Sequence, residues 1–413
     1  MSTTAEASVT RPPAASPSHA RGFWLVGYLF AVTMAAGAVS TPLYVLYQQQ
    51  DHFSSFMITV IFAVYAVGVV LSLFLAGHIS DRFGRRRIIA PAVLLNVLAM
   101  LVFMSSHALV LLLVARFLSG LGIGMLTATA TAHMTELHQT AHPTRSSRRA
   151  EAVSTAANMG GIGAGPLIAG LLAQFAPEPL LTPYLVLAFL LVVGLLALVT
   201  VPESVAFTDS SWRYRPQRVV VPPESRAAYI GAALTGFVGF AMFGFFSALV
   251  PTFLAGQLHL TSHVLAGGVS FIAFGSCALF QVVTSSWPRH LQYLIGTLVL
   301  AAGIVLVSVG IAAAALPVLL IGGFVAGGGA GTTFKAAIGT VVGIAPANAR
   351  GEALAGIFLV SYIGIAIPVV AVGALLLVVS TLVAVLSFGA LLLVLLAAVS
   401  VLLARVGAFA PAP

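Results

Sequence analysis

The chain is dominated by long apolar runs that recur along almost all of its 413 residues. Each run is about 20 residues long, the length that an α-helix needs to cross the hydrocarbon core of a bilayer. A signal peptide or a single anchor would account for only one such run. Membrane strands would show short alternating segments, whereas helices satisfy their own backbone hydrogen bonds in lipid. The runs therefore predict an all-α integral membrane protein with twelve transmembrane helices.

Charge supports this class and indicates the orientation. Charged residues make up only 7% of the chain, against about a quarter in soluble proteins. The net charge of +8 could suggest nucleic acid, but sixteen of the eighteen basic residues fall in loops and tails on one predicted side. We interpret this asymmetry as the positive-inside rule and expect no nucleic-acid partner. The single cysteine, Cys277, excludes an intrachain disulfide.

The predicted helices form two halves joined by a polar linker. We expect disordered cytoplasmic tails at 1–20 and 406–413, six helices in each of 21–204 and 229–405, and a cytoplasmic linker at 205–228. The expected helices span about 22–47, 56–76, 88–105, 109–133, 151–175, 181–201, 229–253, 264–286, 291–313, 316–342, 352 onward and 380–403. Both termini are then cytoplasmic, and the protein is a multi-pass protein of the plasma (cytoplasmic) membrane.

The loop between helices 2 and 3 carries the most specific pattern, Gly-x-x-x-Asp-Arg-x-Gly-Arg-Arg-Arg at 77–87. Its glycines allow a tight turn, and its arginines keep the loop out of the membrane. The pattern resembles the signature loop of the major facilitator superfamily of secondary transporters. This resemblance implies two six-helix halves and a conformational latch. The latch residues are Gly77, Asp81, Arg82, Gly84, Arg85, Arg86 and Glu136.

Within this latch, the resemblance implies two contacts that hold an inner gate closed. Asp81 is expected near the start of helix 11, where the helix dipole favours an anion, and Arg85 is expected to reach Glu136 at the end of helix 4. Asp81 is expected to stabilise only one of two conformational states. Replacing Asp81 by asparagine should therefore slow turnover without unfolding the protein.

Helix 4 contains an arginine within an apolar run, followed by Gly120, Gly122 and Gly124. A charged side chain in the membrane is costly unless it faces a bundle interior or a water-filled cavity, and the glycines leave a smooth packing face. The stretch resembles the fourth-helix motif of the superfamily, which implies that Arg116 faces a cavity and handles substrate or protons. The alternative is an arginine that snorkels or caps backbone carbonyls.

Helix 5 carries a second, partial motif formed by Gly161, Gly165, Pro166 and Gly170. It resembles the fifth-helix motif of the efflux branch, although Ala169 replaces a usual glycine and position 152 is not glycine. The motif favours export. The alternative is a kinked seam of small residues between helices.

An internal repeat supports two homologous halves. The segment 116–124 aligns with 323–331 at a shift of 207 residues, and 149–152, which opens helix 5, aligns with 350–353, which opens helix 11. A repeat of half the chain is typical of transporters whose substrate site lies between the two repeats.

The residues expected at a substrate or coupling site are Tyr44, Arg116, Asn158, Gln281, Lys335 and Tyr362. Arg116 and Lys335 are the only charges predicted inside helices, so a cavity with both would be positive and attract an anionic or acceptor-rich group. Alternatively, Lys335 snorkels to the cytoplasmic side. The phenylalanines of 237–246 could add an apolar wall.

Enzymatic chemistry is not expected. Motifs for nucleotide, zinc or serine-hydrolase sites are absent, and all ten acidic residues lie in tails, loops or helix ends, so we expect no cofactor and no metal. Proton relays usually use membrane carboxylates, so the candidates are limited to the membrane faces. They are Asp51, His78, His133, Glu136 and Glu151.

These features predict a secondary transporter that moves a small molecule across the lipid bilayer by alternating access. We expect a monomer coupled to protons that exports an amphipathic compound. An importer of a small metabolite or sugar is the alternative, to which the sequence Pro-Glu-Ser at 202–204 lends weak support. A sensor or scaffold without transport is the alternative from another class.

Overall fold

The computed structural model describes residues 17–76, 80–205, 221–346 and 349–410, and these ranges are helical with short connections. Eleven helices of the described chain are long and apolar enough to span a membrane, and Thr182–Leu198 is a shorter apolar helix. With that helix counted, the predicted all-α bundle of twelve helices is confirmed.

The helices of the first half are α1 (Pro17–Ala38, continued by Tyr44–Asp51), α2 (Ser55–Ala76), α3 (Arg85–Ser105), α4 (Leu109–Ala141), α5 (Arg148–Thr155, Ala156–Gly160 and Gly161–Phe175) and α6 (Thr182–Leu198). Those of the second half are α7 (Arg226–Ala248, continued by Val250–Gly256), α8 (His263–Val283), α9 (Arg289–Ala312), α10 (Leu316–Ile344), α11 (Arg350–Leu375) and α12 (Thr381–Arg405). Single helical turns lie at Ser80–Phe83, Pro223–Ser225 and Thr284–Ser286.

Two predicted boundaries are corrected. Helix α1 begins at Pro17, inside the predicted tail 1–20, because proline is well suited to the first position of a helix. Helix α4 continues past the predicted end at His133 to Ala141, since Met134, Leu137 and Ala141 recur at helical spacing and are buried. Residues 1–16 and 411–413 of the predicted tails, and 206–220 of the predicted linker, lie outside the described residues.

Helix α1 is interrupted at residues 39–43, where the sequence predicts a break around Pro42. Proline has no N–H to donate to the carbonyl of Ala38. The N–H of Thr41 donates to the carbonyl of Ala38 instead, at 3.2 Å. In a continuous helix the N–H of Thr41 would donate to the carbonyl of Gly37, so that carbonyl is free for another donor.

Glycines at equivalent positions of the repeat bring helices into backbone contact. A Cβ on Gly120 of α4 would lie 2.1 Å from the carbonyl oxygen of Tyr65 in α2. A Cβ on Gly327 of α10 would lie 2.1 Å from the carbonyl oxygen of Ala273 in α8. Only glycine permits such an approach, so both halves use the same packing device.

The halves meet along α5 with α8 and along α2 with α11. We call the side of the bundle with Arg85, Arg148 and Arg405 the basic face, and the side with Asp51 and Gly256 the opposite face. On the opposite face, Oγ1 of Thr252 donates to Oε1 of Gln48 at 3.0 Å. The N–H of His263 donates to Gln174 there, also at 3.0 Å. Both hydrogen bonds join the two halves.

Candidate substrate site

A small cavity lies between the two halves, lined from the first half by α1, α2, α4 and α5 and from the second by α7, α8 and α11. Its volume is about 30 Å³, room for only one or two water molecules. A substrate therefore fits between the halves only after they move apart.

Arg116 of α4 is the charged residue of this cavity, and its side chain is only 2% exposed. Its Nη1 donates to the freed carbonyl of Gly37 at 2.7 Å and to Oγ of Ser40 at 3.2 Å. The guanidinium also lies over the rings of Tyr65, at 4.7 Å, and Phe62, at 5.5 Å. The break in α1 and these aromatic faces together stabilise the buried cation.

This compensation leaves Arg116 incompletely satisfied. Within the described chain, its Nε has no hydrogen-bond partner, and no carboxylate lies within ion-pair distance of it. A buried donor without a partner is costly, and the site retains a net positive charge. Arg116 therefore lines the cavity and also caps a backbone carbonyl, and its expected role in handling substrate or protons stays a prediction.

Aromatic rings from both halves enclose the cavity. The ring of Tyr65 lies 6.3 Å from that of Tyr362 in α11, and Phe240 of α7 lies 5.7 Å from the same tyrosine. Of the expected wall on α7, Phe240 lines the cavity, whereas Phe245 stacks on Phe388 of α12 at 5.1 Å. The wall is thus built by several helices rather than by α7 alone.

The other expected site residues are only partly brought together. Tyr362 lines the cavity, and the hydroxyl of Tyr44 accepts from Ser40 at 3.5 Å, next to Arg116. Gln281 contacts Cys277 of its own helix at 3.2 Å, and it does not line the cavity. Asn158 lies in the π-helical turn of α5, where its buried Oδ1 has no partner within the described part of the chain.

The expected contribution of Lys335 to the cavity charge is wrong. Its Nζ lies 3.3 Å from Oε2 of Glu151, so a carboxylate accompanies it. Lys335 is 19 residues into α10, which carries it to the basic face, where the first turns of α5 lie. The cavity therefore draws its positive charge from Arg116.

Sequence reasoning missed Tyr65 and Phe62, the two aromatic contacts of Arg116. Tyr65 is the single tyrosine of α2, so a phenolic hydroxyl in a largely apolar helix could have indicated it from the sequence. Phe62 gave no signal, since nothing distinguishes it from the many phenylalanines that pack in lipid or in the core.

On the basic face, the contact expected between Arg85 and Glu136 is present. Nη2 and Nε of Arg85 donate to the two carboxylate oxygens at 2.8 and 3.2 Å, a bidentate pair. Gly77, and the side chains of Asp81 and Arg82, lie outside the described residues. The expected contact of Asp81 with α11, and the latch role itself, stay predictions.

Glu203 joins Arg85 and Glu136 on the basic face, a contact that the sequence did not predict. Gly84 has a φ of +96°, which glycine adopts without strain, and it ends the turn before α3. The Glu203 carboxylate accepts the N–H groups of Arg85 at 2.8 Å and Arg86 at 3.1 Å, so it caps α3. Nη2 of Arg86 donates to the carbonyl of Val199 at 3.0 Å.

Ser204 links the cluster to α4. Its hydroxyl donates to Oε2 of Glu136 at 2.5 Å and lies 2.7 Å from Nδ1 of His133. These contacts tie α3, α4 and the segment after α6 together, and all of them lie within the first half.

The residues of the fifth-helix motif serve close packing. A Cβ on Gly161 would lie 2.6 Å from the carbonyl oxygen of Ala31 in α1, and one on Gly165 would lie 2.2 Å from that of Ala35. One on Gly170 would lie 2.3 Å from the carbonyl oxygen of His263 in α8. A Cβ on Gly267 of α8 would lie 2.1 Å from the carbonyl oxygen of Pro166. The motif therefore forms a close-packed seam between α5 and both α1 and α8, and its link to export stays a prediction.

Comparison with known proteins decides the family. The model of the Major Facilitator Superfamily matches residues 26–300. The chain belongs to the major facilitator superfamily. It is therefore a transporter of small molecules that spans the lipid bilayer several times, and it is not an enzyme.

Among curated members of the superfamily, the arabinose-proton symporter of Bacillus subtilis (strain 168) is 35% identical over 115 residues. That match covers 28% of this chain and 23% of the symporter, so the chain matches about a quarter of the relative's length.

Two solved transporter structures cover almost the whole chain. The human organic anion transporter MFSD10 matches with a TM-score of 0.67 and 16% identity, covering 93% of this chain and 100% of that one. A mutant of the nucleoside transporter NupG matches with a TM-score of 0.69 and 13% identity, covering 92% and 99%. At these identities the likeness concerns the superfamily fold.

Proposed function

We propose that this transporter exports a small amphipathic molecule that carries an anionic or acceptor-rich group, in exchange for protons. The observation that carries the proposal is the buried, incompletely satisfied guanidinium of Arg116 in a cavity between the halves. A negative group that enters next to it would supply the missing acceptor. The name of MFSD10, an organic anion transporter, agrees with this class of substrate.

We propose that the two faces open in turn during the transport cycle, so that one face is closed while the other is open. Opening the basic face requires the separation of Lys335 from Glu151, and opening the opposite face requires the separation of Gln48 from Thr252. A substrate drives either step only as far as it binds one state better than the other. The hydrogen bond from Arg116 to the carbonyl of Gly37 holds α1 next to its break. A substrate that binds Arg116 would compete with this hydrogen bond, and we propose that this is how it favours one state over the other.

The basic face is proposed to be cytoplasmic, with both termini there and the protein a monomer in the plasma membrane. Positively charged loops are retained on the cytoplasmic side during insertion. The connections of the opposite face contain no lysine or arginine, which supports this orientation.

The proposal of export rests on the fifth-helix motif of α5 and its resemblance to the efflux branch. Proton coupling is proposed because Glu136 and His133 share the hydroxyl of Ser204 on the basic face, and because the matched relative is a proton symporter. The Glu136 carboxylate is partly exposed on the basic face, so protons from the solution there can reach this cluster.

Substitution of Arg116 tests the substrate class. In proteoliposomes, Arg116→Gln should weaken the binding of acidic substrates by roughly tenfold or more, the scale of a charge-assisted hydrogen bond of 1.5–3 kcal/mol. Neutral analogues should lose far less, and Arg116→Lys should partly restore acidic binding. Equal losses for acidic and neutral compounds would mean that Arg116 has a structural role, and the substrate class would then be wrong.

Import is the second candidate, favoured by the 35% identity to the arabinose-proton symporter over 115 residues. An imposed pH gradient separates the two directions. In vesicles loaded with substrate, exchange predicts that protons entering the lumen drive substrate out, whereas symport predicts that both move the same way. A protein that moves no substrate under either gradient would be a sensor or scaffold.

A further inference from the structure

A carboxylate and an imidazole lie side by side on the opposite face, away from the cavity. Asp51 ends the second piece of α1, and His107 lies in the turn between α3 and α4. Oδ2 of Asp51 is 3.7 Å from Nδ1 of His107. That oxygen is buried and has no hydrogen-bond partner within the described part of the chain.

This geometry fits one additional proton. A buried carboxylate oxygen without a donor is unfavourable, and 3.7 Å is just beyond hydrogen-bonding distance. When the imidazole is protonated on both nitrogens, a small approach converts the contact into a charge-assisted hydrogen bond. The Nδ1–H tautomer of the neutral imidazole can also donate to Oδ2, but without the positive charge this hydrogen bond is weaker.

Protons can reach the pair from one side only. Asp51 and His107 line a wide cleft of about 520 Å³ on the opposite face, together with Phe53, Ser105 and Ser106. Their side chains are 25% and 40% exposed, respectively. The pair therefore equilibrates with the solution on that face.

Few other charges act on the pair. The turns 52–54 and 106–108 that flank the cleft contain no lysine or arginine. The titratable groups around it are Tyr44 and Tyr47 on the same helix, His52 next in the chain, Tyr184 on α6 and, deeper in the bundle, Arg116. The ring of His107 packs edge-on against Tyr47 at 5.5 Å, and the hydroxyl of Tyr47 lies 2.9 Å from that of Tyr184.

The same piece of α1 carries the contact between the halves. Gln48 lies three residues before Asp51 and accepts the hydrogen bond from Thr252 of α7. Its amide nitrogen donates to Ser55 at 3.3 Å. Because residues 39–43 interrupt α1, the piece Tyr44–Asp51 can shift relative to the rest of the helix.

We propose that Asp51 and His107 form a proton-binding site that senses the pH on the opposite face and controls closure of the two halves there. With the proton bound, the ion pair ties Tyr44–Asp51 to the turn after α3 and keeps Gln48 on Thr252. Loss of the proton removes the positive charge from this contact, which weakens the tie and favours the open state. Asp51 and His107 do not line the substrate cavity, so we assign this site a regulatory role rather than a role in coupling. The proposal does not depend on the direction of transport or on the coupling ion.

Pulsed electron paramagnetic resonance on the full-length protein tests the site. Spin labels at Gln50→Cys on the α1 piece and Gln257→Cys after α7, in a Cys277→Ser background, report the distance between the halves. Raising the pH from about 5.5 to about 8 should lower the closed fraction. The expected loss is roughly two- to fivefold, the range for a partly exposed ion pair.

Matched variants separate this site from other titrating groups. Asp51→Asn and His107→Gln should each abolish the pH response, and combining them should add nothing. Glu178→Gln removes an exposed carboxylate from the same face and should preserve the response. A response that survives in Asp51→Asn, or a parent protein with no response, would overturn the proposal.

Discussion

Nζ of Lys335 lies 3.3 Å from Oε2 of Glu151, and this ion pair joins α10 of the second half to the start of α5 in the first. It lies on the basic face, whereas Gln48 and Thr252 join the halves on the opposite face. Polar contacts therefore join the two halves on both sides of the small cavity around Arg116. In the proposed transport cycle, one of these contacts must break before the cavity can take a substrate.

The strength of this ion pair limits the effect of removing it. Lys335 is 25% exposed and Glu151 56%, so water screens the pair, and we expect it to contribute no more than about 1 kcal/mol. Lys335→Met should therefore change the maximal transport rate in proteoliposomes by less than about tenfold. The exchanged pair Lys335→Glu with Glu151→Lys should recover much of the change. Complete loss of transport without recovery would mean that Lys335 acts on substrate or protons directly.

The Arg85–Glu136 pair should contribute more to stability. Arg85 is 8% exposed, and Glu136 also accepts from Ser204. Glu136→Gln leaves the guanidinium without its charge partner, which should cost about 1.5–3 kcal/mol. The melting temperature in detergent should fall clearly. Glu224→Gln, at an exposed carboxylate, should leave the melting temperature unchanged, and an equal fall in both variants would contradict this prediction.

The paired glycines of the repeat give a test of the packing. Gly120→Ala and Gly327→Ala would each place a methyl group 2.1 Å from a backbone oxygen, which cannot move aside without shifting a helix. Each should destabilise the protein by about 1–3 kcal/mol. Gly268→Ala in α8 has no atom within 4 Å of the new methyl group and is the matched control. Melting temperatures that do not separate the three variants would show that the helices are not in such close contact.

The sequence predicted those features that depend on local pattern. The length of the apolar runs places the helices, Pro42 places the break in α1, and the glycine repeat indicates equivalent packing in both halves. The Arg85–Glu136 contact was accessible because a specific loop motif implied it.

The remaining features depend on which helix faces which. A lysine in an apolar run gives the same sequence pattern whether its side chain enters a cavity or pairs with a carboxylate at the membrane face. The two placements of Lys335 therefore stayed open until the structure placed α10 beside α5. The capping of α3 by Glu203 joins residues more than a hundred positions apart, and no periodicity indicates such a contact. Tyr65 became a site residue only through its position under Arg116.

The proposed orientation predicts which loops an impermeant thiol reagent reaches. With Cys277→Ser as background, Gln50→Cys and Gln257→Cys lie on the opposite face and should be labelled in intact cells. Ser146→Cys, in the exposed and arginine-rich turn between α4 and α5, should be labelled only after the cells are permeabilised. The physical reason is that loop arginines resist translocation, and this turn and its flank carry Arg145, Arg148 and Arg149. Labelling of Ser146→Cys in intact cells, with protection of Gln50→Cys, would place the basic face outside and reverse the direction assigned to every step of transport.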